Sequence, residues 1–588
     1  MNMPTQKTVR IGGACGFWGD SSLGAHQLVN TPGMQYITFD YLAELTLAIM
    51  AGMRMKNPEQ GYALDFVDLM KQVLPKAKAQ GIRIIANAGG LNPGACAQAL
   101  SQAMEALGQP VKIGVVSGDD ASGVLQNLRK QGNELKDMQS GQPAPAFVLT
   151  ANAYLGAFPI AAALGAGADI VITGRVVDSA MVLGALIHEF KWTPTQLDEL
   201  AQGSLAGHIV ECGAQATGGL FTDWQVVPDW ANIGYPFVDV TADGSFTLGK
   251  PDHTGGLINK AVASEQLLYE IGDPANYQLP DVVCDFTQVH IENSGDNRVR
   301  ISGAKGKAPS GQYKVCATYP DGFRCIGLLS IVGFDAAEKA KRTAEAILER
   351  TRTQFKQLDL ADYTRAHYEV IGTETDFGPH AQVLNAREAM LRIAIHHADK
   401  KAATLFSKEI APAGTSFAPG TSGNFGMGRP NVVPLVRLFS TLIDKSLVQA
   451  KVSINGEVVE YTEPEHPLAA PPGQTSQNQA SANVYTPIGR LLIDIAHGRS
   501  GDKGNTSNVG LVARSDTDWA LLKAAITPER VKAYLGHLVQ GSVTVYPLPG
   551  INALNVVMDQ ALDGGGMTSM RNDPLGKGMA QLMLTMPI

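Results

Sequence analysis

The sequence is poor in cysteine, in aromatic residues and in charge. Of its 588 residues, six are cysteine, 6% are aromatic and 17% are charged. None of the cysteines forms a C-x-x-C pair, and sparse cysteines of this kind indicate reduced thiols in a cytoplasmic protein. Lysine and arginine number 47 against 55 acidic residues, and this net charge of −8 argues against a nucleic-acid-binding protein.

Long hydrophobic runs and several familiar catalytic motifs are also missing. The longest mostly apolar run, residues 153–168, is too short to cross a bilayer and contains Pro159. The first residues lack the apolar stretch of a signal peptide, so we expect no membrane partner. The chain has no G-x-S-x-G elbow, no Walker A loop, no H-E-x-x-H and no cysteine–histidine zinc spacing.

What the chain does have is length and a regular alternation of strand and helix patterns. A chain of 588 residues is too long for one hydrophobic core, so we expect two or three domains. The predicted divisions are an α/β domain with glycine-rich loops at strand ends (1–280), an α+β segment that completes this N-terminal part (281–461), a linker (462–483) and a small ferredoxin-like α+β domain (484–588).

The first third of the chain predicts a large parallel sheet. Predicted strands cover 8–11, 36–39, 82–86, 111–116, 147–150 and 170–173, and helices predicted between them include 65–80 and 93–107. Two long helices, 336–357 and 386–406, are predicted in the later α+β segment. Strands alternating with helices are typical of parallel sheets that are covered on both faces. The fold class is therefore α/β.

A glycine-rich turn follows the first predicted strand. Gly13, Gly16 and Gly19 would leave backbone N–H groups free at a helix start, where anions bind. The alternative is a tight turn that only needs glycine. Cys15 within this turn is a candidate nucleophile of lowered pKa or a small filler, and Asp20 is a candidate base or a helix cap.

Polar residues follow most of the predicted strands. They include Asp40, Asn152 and the group Asn87, Gly89 and Gly90. Because ligands bind outside the carboxyl ends of strands in open α/β sheets, we expect a substrate or anion site here, although loops after strands are often polar without a function.

Charged residues beyond the strand ends supply acid–base chemistry. Arg175 after a strand can bind a carboxylate or simply hold its loop through Asp178. Glu211 and His253, together with Cys212, offer general acid–base groups on loops. We also expect Thr254 to cap a helix reaching residue 270.

Two further segments are candidate anion-binding loops. One spans 419–430 and ends at Arg429. The other, 497–505, is predicted to follow a strand at 490–496, and it carries Arg499, Asp502, Lys503 and Asn505. Cations between glycines suit a phosphate or carboxylate, and the alternative is a solvated loop with an internal Asp–Lys pair.

These motifs together resemble the acyclic terpene utilisation protein A (AtuA) family. The matching stretches are IGGACGFWGDS, NAGGLNP, VVSGDD, ITGRVVDSA, ECGAQATGG, HTGGLINKAVASEQLLYEIGDPANYQLPDV, RSGDKGNTSNVG and ALNVVMDQALDGGG. The resemblance implies an α/β part followed by a ferredoxin-fold domain. It also implies a role in citronellol and geraniol catabolism, where the intermediates are coenzyme A thioesters.

The resemblance favours a carbon–carbon lyase acting on 3-hydroxy-3-isohexenylglutaryl-CoA. The alternatives are a hydratase, a non-catalytic partner of the acyl-CoA carboxylase and a thioester hydrolase that uses Cys15. No cofactor is assigned apart from the coenzyme A of the substrate. A divalent metal is an open alternative, and the scattered Asp119, Asp120 and Asp178 are its candidate ligands. We expect a homo-oligomer.

Overall fold

The computed structural model describes residues 7–422, 428–467 and 488–588. The strands are β1 (Thr8–Gly13), β2 (Tyr36–Phe39), β3 (Arg83–Ala86), β4 (Ile113–Ser117), β5 (Thr150–Ala153), β6 (Ile170–Thr173), β7 (Phe237–Thr241), β8 (Phe246–Gly249), β9 (Tyr277–Gln278), β10 (Val283–Asp285), β11 (His290–Gly295), β12 (Arg298–Ser302), β13 (Lys305–Lys307), β14 (Gln312–Val332), β15 (Arg365–Ile371), β16 (Glu388–His397), β17 (Thr421–Ser422), β18 (Val432–Asp444), β19 (Lys451–Ile454), β20 (Glu457–Val459), β21 (Ala496–Lys503), β22 (Thr506–Ala513), β23 (Val543–Leu548) and β24 (Ala553–Met558).

The helices cover both faces of the largest sheet and also pack against two other sheets. They are α1 (Leu23–Val29), α2 (Glu44–Lys56), α3 (Leu64–Ala79), α4 (Pro93–Ala106), α5 (Ser122–Lys130), α6 (Phe158–Gly165), α7 (Ala180–Phe190), α8 (Leu197–Val210), α9 (Lys260–Leu268), α10 (Ala336–Gln357), α11 (Lys400–Ile410), α12 (Ala413–Ser416), α13 (Asp516–Ala525), α14 (Pro528–Leu535) and α15 (Met579–Leu584). No helix in the described ranges is long and apolar enough to cross a membrane.

The largest sheet has a parallel centre and antiparallel flanks. Its order is β11-β12-β8-β7-β1-β2-β3-β6-β4-β19-β20, and the run from β1 to β4 is parallel. The central strands read as continuous apolar runs, such as the buried IVIT of β6, because helices cover both faces. The predicted α/β class is confirmed, and β2 and β6 match their predicted bounds.

A second sheet is built on the 21-residue strand β14. It pairs with β5, β16, β17 and β18, and α10 and α11 pack against it. The helix predicted at 386–406 is wrong, because β16 and then α11 occupy this stretch. An apolar run such as that of β16 fits either a buried strand or a buried helix, and pairing with β14 and β15 decides it here. The strand predicted at 147–150 is shifted to β5 and joins this sheet rather than the parallel one.

The last hundred residues form a four-stranded antiparallel sheet with α13, α14 and α15 on one side. The strand order is β21-β22-β24-β23. The loop predicted at 497–505 is wrong: residues 496–503 form β21, and a two-residue turn at Gly504 and Asn505 joins it to β22. The strand predicted at 490–496 is mostly irregular, with a short 3₁₀ turn at Leu492–Asp494.

The other side of this small sheet packs against α9. A Cβ on Gly510 would lie 2.3 Å from the Cβ of Leu268, so only glycine allows this approach. Asn508 donates to the Leu268 carbonyl at 2.7 Å. The cap predicted for this helix is wrong, because α9 begins at Lys260 and the side chain of Asn259 caps it. Most of the predicted linker 462–483 lies outside the described residues, and the domain boundaries stay predictions.

Candidate functional site

The carboxyl ends of the five parallel strands meet at one edge of the large sheet, and their polar residues contact one another. Asn87 after β3 donates to Asp40 after β2 at 2.6 Å, and its carbonyl oxygen accepts from the Tyr41 N–H. Asp119 after β4 accepts from the backbone N–H of Arg175 after β6 at 2.9 Å. All four of these strand-end residues are buried.

Arg175 is the central cation of this edge. Its side chain is 3% exposed, its guanidinium donates to the Leu42 carbonyl, and it stacks 4.1 Å from the ring of Tyr154. Nη2 lies 3.3 Å from Oδ1 of Asp178. Within the described chain, the Nε of Arg175 has no hydrogen-bond partner, and the contact of Nη2 with Asp178 is an ion pair without hydrogen-bond alignment. Buried polar atoms without partners mark a place where a ligand can bind.

Burial raises the pKa of two carboxyls of the edge. Burial and the charge of Asp178 raise the pKa of Asp40 well above its usual value. Burial raises the pKa of Asp119 to about 6. Glu44 on α2 behaves in the opposite way: burial would raise its pKa, but Lys314 and Arg175 lower it. The edge therefore mixes carboxyls of raised pKa with a carboxylate whose pKa is lowered.

His208 and Glu211 form a buried proton-sharing pair at the end of α8. The Nδ1 of His208 lies 3.1 Å from Oε1 of Glu211, and its Nε2 lies 3.0 Å from the Leu267 carbonyl. The Leu267 carbonyl can only accept a hydrogen bond, so Nε2 carries a proton. The contact between Nδ1 and the Glu211 carboxyl joins two acceptors unless a second proton lies between them. Burial would lower the pKa of His208, but Glu211 raises it. Burial also raises the pKa of Glu211.

The turn of the β21–β22 hairpin reaches the same place from the C-terminal module. Lys503 lies 3.5 Å from Oε2 of Glu270, which follows α9. Lys577 donates to Glu270 and to Asp502 at 3.0 Å each, and also to the Tyr269 hydroxyl. A Cβ on Gly501 would lie 2.4 Å from Cγ of Glu270, so glycine in β21 allows this close approach.

Electrostatic coupling joins the hairpin to the strand ends. The side chain of Lys503 is 43% exposed, and its pKa is raised well above the usual value because Glu270, Asp178 and Glu44 outweigh the desolvation that would lower it. Burial raises the pKa of Asp502 to about 6. We call the joined group the edge cluster; it consists of Asp40, Glu44, Arg175, Asp178, His208, Glu211, Glu270, Asp502, Lys503 and Lys577. A cluster of titratable groups with shifted pKa values is typical of active sites.

The turn after β1 lies beside this cluster, but it is not the anion cradle that the glycines suggested. The N–H groups of Gly13 and Gly16 donate to the Pro236 carbonyl and to the Asp20 carboxylate. The glycines serve close packing instead, since a Cβ on Gly16 would lie 2.8 Å from Cα of Cys212. The Gly90 N–H also has a partner, the Asn87 carbonyl.

Cys15 and Asp20 hold the turn in place. Burial, with the charges of Asp40 and Asp20, raises the pKa of Cys15 well above its usual value, the reverse of the expected direction. Asp20 accepts from the N–H groups of Gly16 and Ser21 and from the Tyr235 hydroxyl. Burial likewise raises the pKa of Cys212.

Four other candidate residues lie elsewhere or are fully engaged. His253 lines a separate cleft of about 550 Å³ with Arg10, Lys250 and Arg298, so the histidine partner of Glu211 is His208. Arg499 is buried and paired with Glu265. Asn505 accepts from the N–H groups of Leu562 and Gly564. Arg429 is exposed, and 423–427 in its loop lie outside the described residues.

The proposed aspartate metal set does not assemble. Asp119 accepts from the backbone of Arg175, Asp178 faces the guanidinium, and Asp120 accepts from the Ser122 N–H. Among the residues that the structure describes, the group that brings three potential ligand atoms together is a different one, Asp281, Glu463 and His466.

Sequence reasoning missed several members of the cluster: Glu44, His208, Glu270 and Lys577. His208 had a visible signal, because it stands three residues before Glu211 and therefore on the same helix face. Glu270 and Lys577 had none, since they meet only when distant segments pack together.

Comparisons with known proteins agree with this architecture. Residues 9–454 match the model of the "acyclic terpene utilisation family protein AtuA", and residues 490–588 match that of the "AtuA ferredoxin-like domain". No curated protein and no solved structure matches the chain. The family match spans well over half of the sequence, so the chain belongs to the acyclic terpene utilisation family AtuA, whose members have a role in acyclic terpene utilisation.

Proposed function

We propose that this chain is an acyl-CoA lyase of citronellol and geraniol catabolism that cleaves 3-hydroxy-3-isohexenylglutaryl-CoA at the edge cluster. One observation carries the proposal: a buried proton-sharing pair, His208–Glu211, lies in the same electrostatic cluster as Arg175 and Lys503. Retro-aldol cleavage needs a base and a cationic environment for an enolate, and the cluster contains both.

The reaction balances with these groups. A base of the cluster, Glu211 or Asp178, removes the proton of the tertiary hydroxyl. The oxygen electrons form a carbonyl as the neighbouring carbon–carbon bond breaks, and that bonding pair becomes an enolate. Lys503 and Lys577 stabilise the enolate, which takes back a proton at carbon from the His208–Glu211 pair. The products are an oxo acid or oxoacyl-CoA and acetyl-CoA or acetate.

The free carboxylate of a glutaryl substrate also has a suitable partner. Arg175 is buried, permanently charged and has an Nε donor without a partner in the described chain. A guanidinium binds a carboxylate through two parallel hydrogen bonds, which a lysine cannot reproduce. We therefore assign Arg175 to substrate orientation.

The test is product identification. The purified chain is incubated with 3-hydroxy-3-isohexenylglutaryl-CoA, with and without Mg²⁺, and the products are resolved by mass spectrometry. The proposal expects an oxo product together with acetate or acetyl-CoA. Loss of water would instead indicate the hydratase, which the same proton-sharing pair could serve. Absence of turnover would contradict both.

A second candidate function is docking to the acyl-CoA carboxylase or to further copies of this chain. An exposed apolar surface away from the edge cluster supports it. Trp224 and Trp230 are more than half exposed and contact each other edge to face at 5.9 Å, with Leu220 and Val226 also exposed. Exposed apolar patches of this kind favour protein interfaces. Size-exclusion chromatography with the carboxylase, comparing the chain with its Trp224→Ser/Trp230→Ser variant, separates docking from catalysis.

A further inference from the structure

A second cluster of potential ligands lies outside the edge cluster. Asp281 is in the turn between β9 and β10, while Glu463 and His466 are in the segment that follows β20. One ligand atom from each lies within 4.8 Å of the others. The cluster therefore joins two segments that are 182 residues apart in the chain, counted from Asp281 to Glu463.

His466 is buried there without a hydrogen-bond partner. Its side chain is 6% exposed, and its Nδ1 has no partner in the described part of the chain. Its Nε2 lies 3.8 Å from Oε1 of Glu463, beyond hydrogen-bond distance, and its ring contacts Phe158 edge to face at 5.2 Å. Nε2 is the ring nitrogen that faces Glu463, and a metal ion between the two would give it the partner that the carboxylate at 3.8 Å does not provide.

Neighbouring groups fix the position of each carboxylate. Oδ2 of Asp281 accepts from the Ala157 N–H at 2.8 Å, and Oδ1 lies 2.2 Å from where a Cβ on Gly156 would be. Only glycine leaves room for that oxygen. Glu463 accepts from the Tyr461 hydroxyl at 2.6 Å, which leaves its Oε1 toward His466.

Lys445 is a cation near these carboxyls, but its ammonium donates to a backbone carbonyl instead of to them. Lys445 donates to the Pro280 carbonyl at 2.6 Å. Burial lowers the pKa of Lys445, although the charges of Asp281 and Glu463 oppose that shift. The group contains two carboxyls, and the nearby Lys445 donates its hydrogen bond elsewhere. A further positive charge would therefore be favourable here.

We propose that Asp281, Glu463 and His466 bind a divalent transition-metal ion of the Zn²⁺ type. One imidazole nitrogen and two carboxylate oxygens form a three-ligand set, and a water molecule completes the tetrahedron that Zn²⁺ prefers. Ligand atoms around Zn²⁺ stand about 3.4 Å apart, so side-chain rotation must close the present spacing slightly. The ion would tie the segment after β20 to the β9–β10 turn.

Metal content of the untagged, full-length chain tests the site. The protein is stripped with a chelator, loaded with ZnCl₂, desalted and measured by inductively coupled plasma mass spectrometry. We expect about one Zn²⁺ per chain in the wild type and less than about a tenth of that in His466→Ala. The matched control is His290→Ala, because His290 is exposed on β11 and should leave the metal content unchanged.

A second readout covers the case in which His466→Ala fails to fold. Co²⁺ bound by one nitrogen and oxygens gives visible d–d absorption, which Zn²⁺ should displace at one equivalent in the wild type and which Glu463→Gln should weaken at least tenfold. Wild type without metal, or wild-type metal content in a folded His466→Ala variant, overturns the proposal. Neither result bears on substrate cleavage at the edge cluster.

Discussion

The guanidinium of Arg499 on β21 binds the carboxylate of Glu265 on α9, with Nε and Nη2 at 3.2 and 3.0 Å from the same oxygen. Both side chains are buried, and Arg499 also donates to Gln215 and to the Gly219 carbonyl. This ion pair joins the C-terminal module to the helix that precedes Glu270, so it helps to position the hairpin that carries Lys503.

Removal of one partner of this pair should destabilise the protein strongly. Arg499→Met leaves Glu265 charged and buried, which costs about 3–5 kcal/mol of the free energy of unfolding. Arg490→Met is the matched control, because Arg490 is 42% exposed and lies 3.8 Å from Asp518, a pair that should contribute about 0–1 kcal/mol. Urea denaturation of both variants measures the difference, and equal losses would contradict the structural role of Arg499.

Glu211→Gln should lower the pKa of His208. The carboxylate of Glu211 raises that pKa against burial, so its loss leaves burial, which lowers it. A histidine of raised pKa stabilises the fold fully below its unfolded pKa of about 6.5, and this contribution is lost as pH rises through the folded value. The variant should therefore lose the share of low-pH stabilisation that His208 contributes. Nuclear magnetic resonance titration of the His208 ring measures its pKa, and melting temperatures at low and high pH measure the stability.

The control for this titration is Glu292→Gln, since Glu292 is exposed on β11. It should leave the His208 titration unchanged. An unchanged His208 titration in Glu211→Gln would show that the two side chains do not share a proton.

Gly13→Ala should destabilise the turn after β1. The new Cβ would lie 2.2 Å from the Val210 carbonyl oxygen, next to Glu211, and overpacking of this kind costs about 1–3 kcal/mol. Gly52→Ala in the interior of α2 has no heavy atom within 4 Å and should instead stabilise its helix by about 0.5–1 kcal/mol. Melting temperatures that move in opposite directions support this packing, and a neutral Gly13→Ala contradicts it.

Cys15→Ser should keep full turnover. The thiol is 5% exposed and its pKa is raised, so little thiolate forms near neutral pH. Product formation from the acyl-CoA substrate measures the effect, with native-state alkylation by iodoacetamide as a second probe. A large loss of activity in a folded Cys15→Ser variant would favour the thioester hydrolase that uses this cysteine.

The sequence pattern located one side of the candidate site and missed the other. Asp40, Asn87 and Arg175 follow parallel strands, and βαβ spacing is enough to bring such strand ends to one edge. Glu270 and Lys577 depend on how the C-terminal module packs against α9, which no local pattern encodes.

Two elements were predicted wrongly because their structure depends on residues that are distant in the sequence. Strand β21 was predicted as a loop because it is rich in glycine and charge, yet Gly501 is there for close packing and Arg499 for a buried ion pair. Strand β16 resembled a helix because its run of apolar residues fits either structure, and only its partners β14 and β15 decide. Tertiary contacts overrode local preference in both cases.

The most direct test of the account compares two lysines of the C-terminal module. Lys503 at the hairpin turn belongs to the edge cluster and lies 3.5 Å from Glu270, whereas Lys523 on α13 stacks on Trp519 outside that cluster. With 3-hydroxy-3-isohexenylglutaryl-CoA as substrate, Lys503→Met should lower kcat by about 100-fold or more, the range for loss of a group that stabilises developing negative charge. Lys523→Met should retain wild-type turnover. Wild-type turnover in Lys503→Met would contradict a catalytic site at this edge of the sheet.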